Sequence, residues 1–348
     1  MLVTLNAGLE GMNTFGMKVK ADVLVEYESA EELVSFLGDD RFAAVRKKPY
    51  LSIGSGSNLL FTGDFHGTLL CSRIGGVSFS SSGEDTVLAR VGAGVVWDDF
   101  CALAASEGLW GPENLSLIPG TAGASAVQNI GAYGREAADI IEEVVCLETD
   151  TLTTVRFSPH ECRYGYRESR FKGEWKGRFI VLEVVYKLSR KYSPYLDYAH
   201  VRDSMIKVYG PEPECGYTPL EVRSCISDIR RSKLPDPSVK GNAGSFFKNP
   251  FVSAEKYMEI ASSSPVPVPH FVNPDGSVKI PAAWLIDRSG LKGFRLGGAA
   301  VCETQPLVLL NDSGNAAPDE IIALENHVIS TVRKNFGITL YPEVEHIR

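Results

Sequence analysis

Leu117 to Gly134 reads LIPGTAGASAVQNIGAYG and carries the strongest architectural signal in the chain. Nothing from Thr121 to Gly134 is charged, glycine and alanine dominate, and Gln128 and Asn129 are the only carboxamides. A solvated loop gains nothing from such a composition. Small residues let a backbone come close to whatever lies against it. Two partners fit: a large flat ligand lying along the backbone, or a neighbouring element packed on a small-residue helix.

A second small-residue stretch lies upstream. The strand expected at Pro49–Ile53 runs into GSGSNLLF (54–61). This is not G-x-G-x-x-G, it lacks the Gly-Lys-Ser/Thr of a Walker loop, and Leu59-Leu60-Phe61 reads as a strand rather than a helix start. It offers a run of amides able to face an anion, with Ser55, Ser57 and Asn58 as further donors. A plain β-hairpin turn is the alternative.

A third stretch, GNAGSFFKNP (241–250), places Ser245 on flexible backbone near Lys248 and Asn249. Phe246 and Phe247 follow the serine, so the Gly-x-Ser-x-Gly elbow of a hydrolase is absent, and no histidine stands out as its base. A hydroxyl there suits proton donation, or hydrogen bonding to an oxyanion, better than nucleophilic attack. Such chemistry needs a cation on the reacting anion. ECRYGYRES (161–169) supplies Arg163 and Arg167, and a guanidinium can clamp a carboxylate or phosphate through two parallel bonds.

Composition narrows the function classes. The chain has 348 residues, which predicts two or three domains, and its 44% hydrophobic and 22% charged content is that of an ordinary globular protein. A net charge of −8 without a dense basic run argues against nucleic acid. No stretch approaches a membrane span, and the N-terminus lacks the basic and apolar regions of a signal peptide. Seven scattered cysteines without a CxxC pair, and six histidines without ligand spacing, predict reduced thiols, no metal site and a cytoplasmic setting.

Periodicity and end signals place the elements. Helices are expected from Ser29 to Gly38, Val96 to Glu107, Pro219 to Lys233, Pro281 to Gly290 and Pro318 to Phe336. Strands are expected at Val23–Tyr27, Ile140–Leu147, Thr153–Phe157, Phe179–Leu188 and Pro306–Asn311, with a last one at Leu340–Val344 and antiparallel pairing between Gly67 and Ala93. Leu291 to Gly298 reads as a turn. Tyr192 to Pro219, rich in proline and tyrosine, reads as a lid or a surface insertion.

The order NTFG (13–16), GSGSNLLF (54–61), VGAGVVW (91–97), LIPGTAGASAVQNIGAYG (117–134), ECRYGYRES (161–169), KLPDP (233–237), GNAGSFFKNP (241–250), AAWLIDRSGLKG (282–293) and YPEV (341–344) resembles the UDP-N-acetylenolpyruvoylglucosamine reductase family, in its first type with a tyrosine loop. The resemblance covers nearly the whole chain. It implies an α+β, three-domain flavoprotein: a two-part FAD-binding unit of the vanillyl-alcohol-oxidase type within about 17–191, divided as 1–73 and 74–216, and a substrate domain at 217–348. Non-covalent FAD would contact Gly54, Ser55, Gly56, Ser57, Asn58, Ile118, Pro119, Gly120, Ser125, Gln128, Asn129, Gly131, Ala132 and Tyr133. NADPH would supply a hydride, which passes through the flavin to an enolpyruvyl UDP-sugar. Arg167 would hold the substrate carboxylate, with Glu343 in the same polar cluster, and Ser245 would deliver the proton. Tyr166, Tyr198, Lys233, Asn249 and Gln305 match substrate-binding positions. The resemblance further implies a monomer with no nucleic-acid or membrane partner. Two rival functions are a flavin oxidase of the same superfamily and a non-catalytic nucleotide-sugar binder.

Overall fold

The computed structural model describes residues 1–198 and 200–348, which form two compact units. The first comprises Met1–Ala7, Ala21–Ser55 and His66–Ser232, and the second Gly8–Lys20, Gly56–Phe65 and Lys233–Arg348. Two early segments therefore belong with the C-terminal part of the chain, and the chain does not divide into consecutive blocks.

In the first unit a four-stranded sheet runs in the order Leu2–Gly8, Lys20–Tyr27, Phe65–Ser72, Tyr50–Ile53. The last two strands are parallel, with Tyr50 opposite Thr68 and Ile53 opposite Cys71. Helix Ala30–Gly38 starts where Ser29 Oγ accepts the Glu32 N–H (3.2 Å), and it buries Leu33 and Phe36 against Val23, Val25 and Tyr27. An antiparallel five-stranded sheet follows the order Thr154–Phe157, Ile141–Glu148, Phe179–Ser189, Thr86–Gly92, Val77–Ser81. Its core centres on Trp97, Phe100 and Tyr186, whose rings lie 4.9 to 5.5 Å apart. Each such ring pair adds about 1 kcal/mol beyond area burial.

The helix-packing reading of the small-residue stretch applies to its first half. Ala122–Gln128 is a helix, and a Cβ on Gly123 would stand 2.9 Å from Ala93 Cβ, so this half packs on small residues. After the helix the chain enters a short hairpin, Gly131–Ala132 paired with Arg135–Glu136, with Asn129 (φ 46) and Tyr133 (φ 49) in the left-handed region.

The boundary expected at 217 falls instead after Ser232. Helix Pro219–Lys233 buries Val222, Cys225 and Ile226 with Trp110, Leu196, Val201, Met205 and Tyr217, so its apolar face holds it in the first unit. The tyrosine-rich excursion contributes Leu196, Val201, Met205 and Tyr217 to that cluster and contains a helix, Val201–Tyr209, absent from the sequence reading.

In the second unit the antiparallel sheet Arg295–Leu296, Ala299–Val301, Leu309–Asn311 lies with helix Pro318–Phe336, which buries Ile321, Leu324, Val328 and Val332 and stops at Gly337 (φ 67). The 291–298 segment is thus a turn followed by a short strand. Leu59–Phe61 is a strand, but the hairpin alternative does not hold: it pairs in parallel with Glu345–Ile347. The last strand is therefore Glu345–Ile347 rather than Leu340–Val344, because Pro342 has no N–H for a ladder and pairs with Phe247 only as an isolated bridge. The α+β class expected from the sequence is the class found. Among the described residues no helix is long and apolar enough to cross a membrane.

Candidate active site

In the first unit, Gly165 and Glu168 exchange backbone hydrogen bonds (3.0 and 3.1 Å), leaving Tyr166 and Arg167 at the tip of the turn. Arg167 holds φ 57, a left-handed conformation that costs a non-glycine residue about 1–2 kcal/mol. The tip is held by the 129–136 segment. Arg167 Nη1 donates to Asn129 O (3.3 Å), its Nη2 donates to Gly131 O, and the guanidinium lies 5.2 Å from the Tyr166 ring centroid. A Cβ on Gly131 would stand 2.6 Å from Nη1, so this approach requires glycine.

Asn129 is fully buried and its carboxamide is committed within the protein. Nδ2 donates to Glu136 Oε2 and Gly165 O (both 2.8 Å), and Oδ1 accepts the Ala138 N–H (3.0 Å). This side chain holds the arginine turn in place. Ser125, 1% exposed, likewise faces inward: its hydroxyl lies 2.7 Å from both Ala122 O and Tyr186 OH. The polar atoms of these two side chains are thus hydrogen-bonded within the protein. Gln128 Oε1 accepts from Lys172 Nζ (2.7 Å), which also donates to Arg167 O (3.0 Å). Nothing in the spacing singled out Lys172.

Tyr133 pairs edge-to-face with Tyr198 (6.4 Å) and hydrogen bonds Arg230. Burial pushes the Tyr133 hydroxyl pKa up and the Arg230 guanidinium pKa down, and Arg167's charge acts on Arg230 in the same sense. Asn114 Nδ2 donates to Tyr133 O (3.0 Å) and Tyr195 O (2.8 Å), joining the short hairpin to the tyrosine-rich excursion. Arg230 and Asn114 also escaped the sequence reading, since one arginine or asparagine looks like any other until the fold buries it.

The glycine loop meets the start of the small-residue helix. A Cβ on Gly54 would lie 2.9 Å from Thr121 Oγ1 and 3.1 Å from Ala124 Cβ. Ile118 packs on the core, whereas Pro119 is exposed and Gly120 has φ 140.

In the second unit, residues 245–248 lie between two chain segments. Phe246 N–H donates to Leu307 O (2.8 Å), Lys248 N–H to Tyr341 O (2.9 Å), and Glu343 N–H to Phe246 O (2.8 Å). Ser245 and Glu343, both half-buried, thus lie on segments joined through the carbonyl of Phe246, the residue after the serine. Phe246 and Phe247 are buried beneath them, with Phe15 edge-on to Phe246 at 6.2 Å. Gln305 lies in the turn that closes where Val308 N–H donates to Gln305 O (2.9 Å), beside the Ser245–Val308 bridge. Asn249 Oδ1 accepts the Ala282 N–H (2.9 Å) and so caps helix Ala282–Arg288. Lys233 is exposed at the end of its helix.

Do these residues fit a flavin dinucleotide? Five buried side-chain donors have no partner among the described residues: the Tyr27, Tyr164 and Ser289 hydroxyls, Thr14 Oγ1, whose backbone N–H reaches Gly56 O, and Arg230 Nε, beside Tyr133. An orphaned buried polar group costs about 1–3 kcal/mol unless a ligand satisfies it. Glycines that admit no Cβ flank Thr14, and a tyrosine and second arginine flank Arg230. Within its own unit, each is a donor that a polar ligand group such as a phosphate or a ring edge could satisfy.

Comparison with known proteins supports the fit. The family described as "FAD binding domain" matches residues 21–154, and "UDP-N-acetylenolpyruvoylglucosamine reductase, C-terminal domain" matches 236–347. The UDP-N-acetylenolpyruvoylglucosamine reductase of Bacteroides fragilis (strain YCH46) is 46% identical over 335 residues, 96% of this chain and 97% of its own. That of Porphyromonas gingivalis (strain W83) is 44% identical over 339 residues, 97% of each. The crystal structure of the enzyme from Thermus caldophilus superposes with a TM-score of 0.66 over 100% of this chain and 98% of that one; at 23% identity this is a likeness of fold.

Proposed function

Because the chain belongs to the UDP-N-acetylenolpyruvoylglucosamine reductase family, we propose that it reduces the enolpyruvyl group of UDP-N-acetylglucosamine enolpyruvate to the lactyl ether. The product, UDP-N-acetylmuramate, is a precursor of peptidoglycan. When bound, FAD would supply two-electron chemistry, with NADPH as the hydride donor and the terminal carbon of the substrate's double bond as the hydride acceptor. The neighbouring carbon gains a proton, so one hydride and one proton complete the saturated ether and NADPH leaves as NADP+.

The protein's own groups handle the charge and the proton. Negative charge develops on the carbon bearing the carboxylate, and Arg167 holds that carboxylate by a charge-assisted pair. Its guanidinium is pre-oriented by Asn129 O and Gly131 O, so little ordering remains at the moment of reaction. Ser245 delivers the proton, and Glu343 acts beside it. A serine is a weak acid in water and serves here only because the anion forms next to it in a dry setting. Tyr166, Tyr198, Lys233, Asn249 and Gln305 contact the UDP-sugar. Gly54 to Asn58, Ile118 to Gly120, Gln128 and Gly131 to Tyr133 hold FAD. The enzyme acts as a cytoplasmic monomer.

The observation that supports this most is the Glu343 N–H bond to Phe246 O, which ties the segment carrying Ser245 to that carrying Glu343, both in the matched C-terminal family region. A flavin oxidase acting on another alcohol has no use for that pair. Ser245→Ala tests the assignment in a stopped-flow instrument. Flavin reduction by NADPH should be unchanged, while reoxidation by the enolpyruvyl UDP-sugar slows roughly 100- to 10,000-fold, the range for loss of a general acid. Equal slowing of both halves, or of neither, removes Ser245 from the role.

A further inference from the structure

Asn13–Gly16 has no part in the chemistry above, yet in the second unit it helps close a ring of hydrogen bonds. Thr14 N–H donates to Gly56 O (3.4 Å) and Thr14 O accepts the Asn242 N–H (2.9 Å). Asn242 Oδ1 accepts the Gly244 N–H (2.9 Å), one residue before Ser245. Phe246 O accepts the Glu343 N–H (2.8 Å). The Glu343 carbonyl accepts from Asn58 Nδ2 (3.2 Å), and Asn58 stands two residues from Gly56, where the ring began. Both backbone groups of Glu343 are pinned, one by the serine segment and one by the glycine loop. Glu345 N–H donates in addition to Asn58 O (3.0 Å).

The ring is stiff where it must be. A Cβ on Gly56 would lie 2.1 Å from Met12 O and one on Gly241 would lie 2.2 Å from Phe15 O, so the glycine loop and the serine segment both rest on the 12–15 turn. Asn13 fixes that turn from within, donating to Leu9 O (2.6 Å) and Met17 O (3.2 Å) and accepting the Met17 N–H (2.9 Å).

We propose that Asn58 is a positioning residue for the proton-transfer step, and that a cofactor seated on the glycine loop steadies Glu343 and Ser245 through it. This rests on the function proposed above. Asn58 spans the joint: its side chain holds Glu343 O while its backbone continues the loop. Removing the amide leaves the Glu343 carbonyl without its donor and frees the peptide that orients the glutamate relative to Ser245. Small misplacements of acid–base groups are costly, about 100-fold for 1 Å.

The test uses the full-length, FAD-loaded protein with Asn58→Ala and Asn58→Asp; the aspartate keeps the shape but cannot donate. Both rates are read per bound flavin, because Asn58 also belongs to the loop expected to hold FAD: reoxidation at saturating enolpyruvyl UDP-sugar should slow about 10- to 100-fold more than flavin reduction by NADPH does. A brace that only supports the fold would lower stability and leave the ratio of the two rates alone. Amide hydrogen exchange gives a readout without turnover: adding FAD to the parent apoprotein should raise protection at Glu343 and Glu345, and in Asn58→Ala the gain at Glu343 should vanish while that across Ala122–Gln128 persists. Proportionate slowing of both half-reactions, unaltered reoxidation, or Glu343 protection indifferent to FAD in the parent would each overturn the proposal. Should the sugar fail to reoxidise the parent's flavin, the functional reading falls and the exchange result alone decides for or against Asn58.

Discussion

Gly56→Ala separates two costs that a glycine loop usually confounds. Gly56 has φ 65, and Gly314, also in the second unit, has φ 72. Alanine at either position bears the left-handed backbone cost of about 1–2 kcal/mol. At Gly314 nothing lies within 4 Å of the new Cβ, so the cost ends there. At Gly56 the new carbon meets Met12 O at 2.1 Å and Asn13 Cα at 2.8 Å, and both are backbone atoms. Relief requires the 12–14 turn to retreat by roughly 1 Å, against the three hydrogen bonds of a buried Asn13, and overpacking of a rigid site adds about 1–3 kcal/mol. The expected loss is therefore about 2–5 kcal/mol for Gly56→Ala against about 1–2 for Gly314→Ala. Urea unfolding of the two apoproteins measures the difference, and flavin retained per chain after desalting measures the consequence for the loop. If the two variants unfold at the same urea concentration and keep the same flavin, the close approach at Gly56 is not what the loop depends on.

Asp98 and Gly134 give two further expectations. Asp98 Oδ1 and Oδ2 accept from Arg223 (2.7 and 2.9 Å) and Oδ1 accepts the Leu117 N–H (2.5 Å); burial pushes its pKa up, but these partners outweigh burial and hold it below the usual carboxylate range. A depressed folded value stabilises above the ordinary aspartate pKa of about 4 and is lost as pH falls through the folded value, so Asp98→Asn should cost about 1–3 kcal/mol near neutrality and progressively less below about pH 4. A cost in urea midpoint that is the same at pH 7 and pH 3 would contradict it. Gly134→Ala puts a carbon 2.2 Å from the Tyr195 ring at φ 79, displacing the excursion that carries Tyr198. We expect the KM for the UDP-sugar to rise roughly tenfold, about 1.4 kcal/mol, with flavin reduction unaltered; an unchanged KM would show that Tyr195 does not anchor the tyrosine loop.

Where local chemistry decides the outcome, the sequence announced it. The Ser29 cap, Pro219 and Pro318 at helix starts and Gly337 at a helix end all lie where the residues place them, because caps and prolines act within one turn. Pairing partners were not legible. Leu59–Phe61 reads as a strand, but its partner was set by residues far along the chain. The helix at Val201–Tyr209 was hidden by the prolines and tyrosines around it. For the candidate site, residue types singled out Ser245, Arg167 and the glycine loop, and resemblance supplied the roles proposed for them. The residues that hold them could not be found that way. Lys172, Arg230 and Asn114 matter through burial and partners, and Asn129 and Ser125, which looked like ligand contacts, turn their polar atoms into the protein.

The parallel pairing of Leu59–Phe61 with Glu345–Ile347 sets a timetable for synthesis. Asn58 and Glu343, at the head of these strands, are separated by 285 positions. At translation rates of about 5–20 residues per second, the early strand waits about 15–60 s for its partner to be made. During that interval Leu59, Leu60 and Phe61 form an unpaired apolar edge of the kind that recruits the wrong chain. The first unit, whose last residue is Ser232, can fold while the ribosome is still working. The segments that carry Ser245 and Glu343 cannot pair until Glu343 has been made.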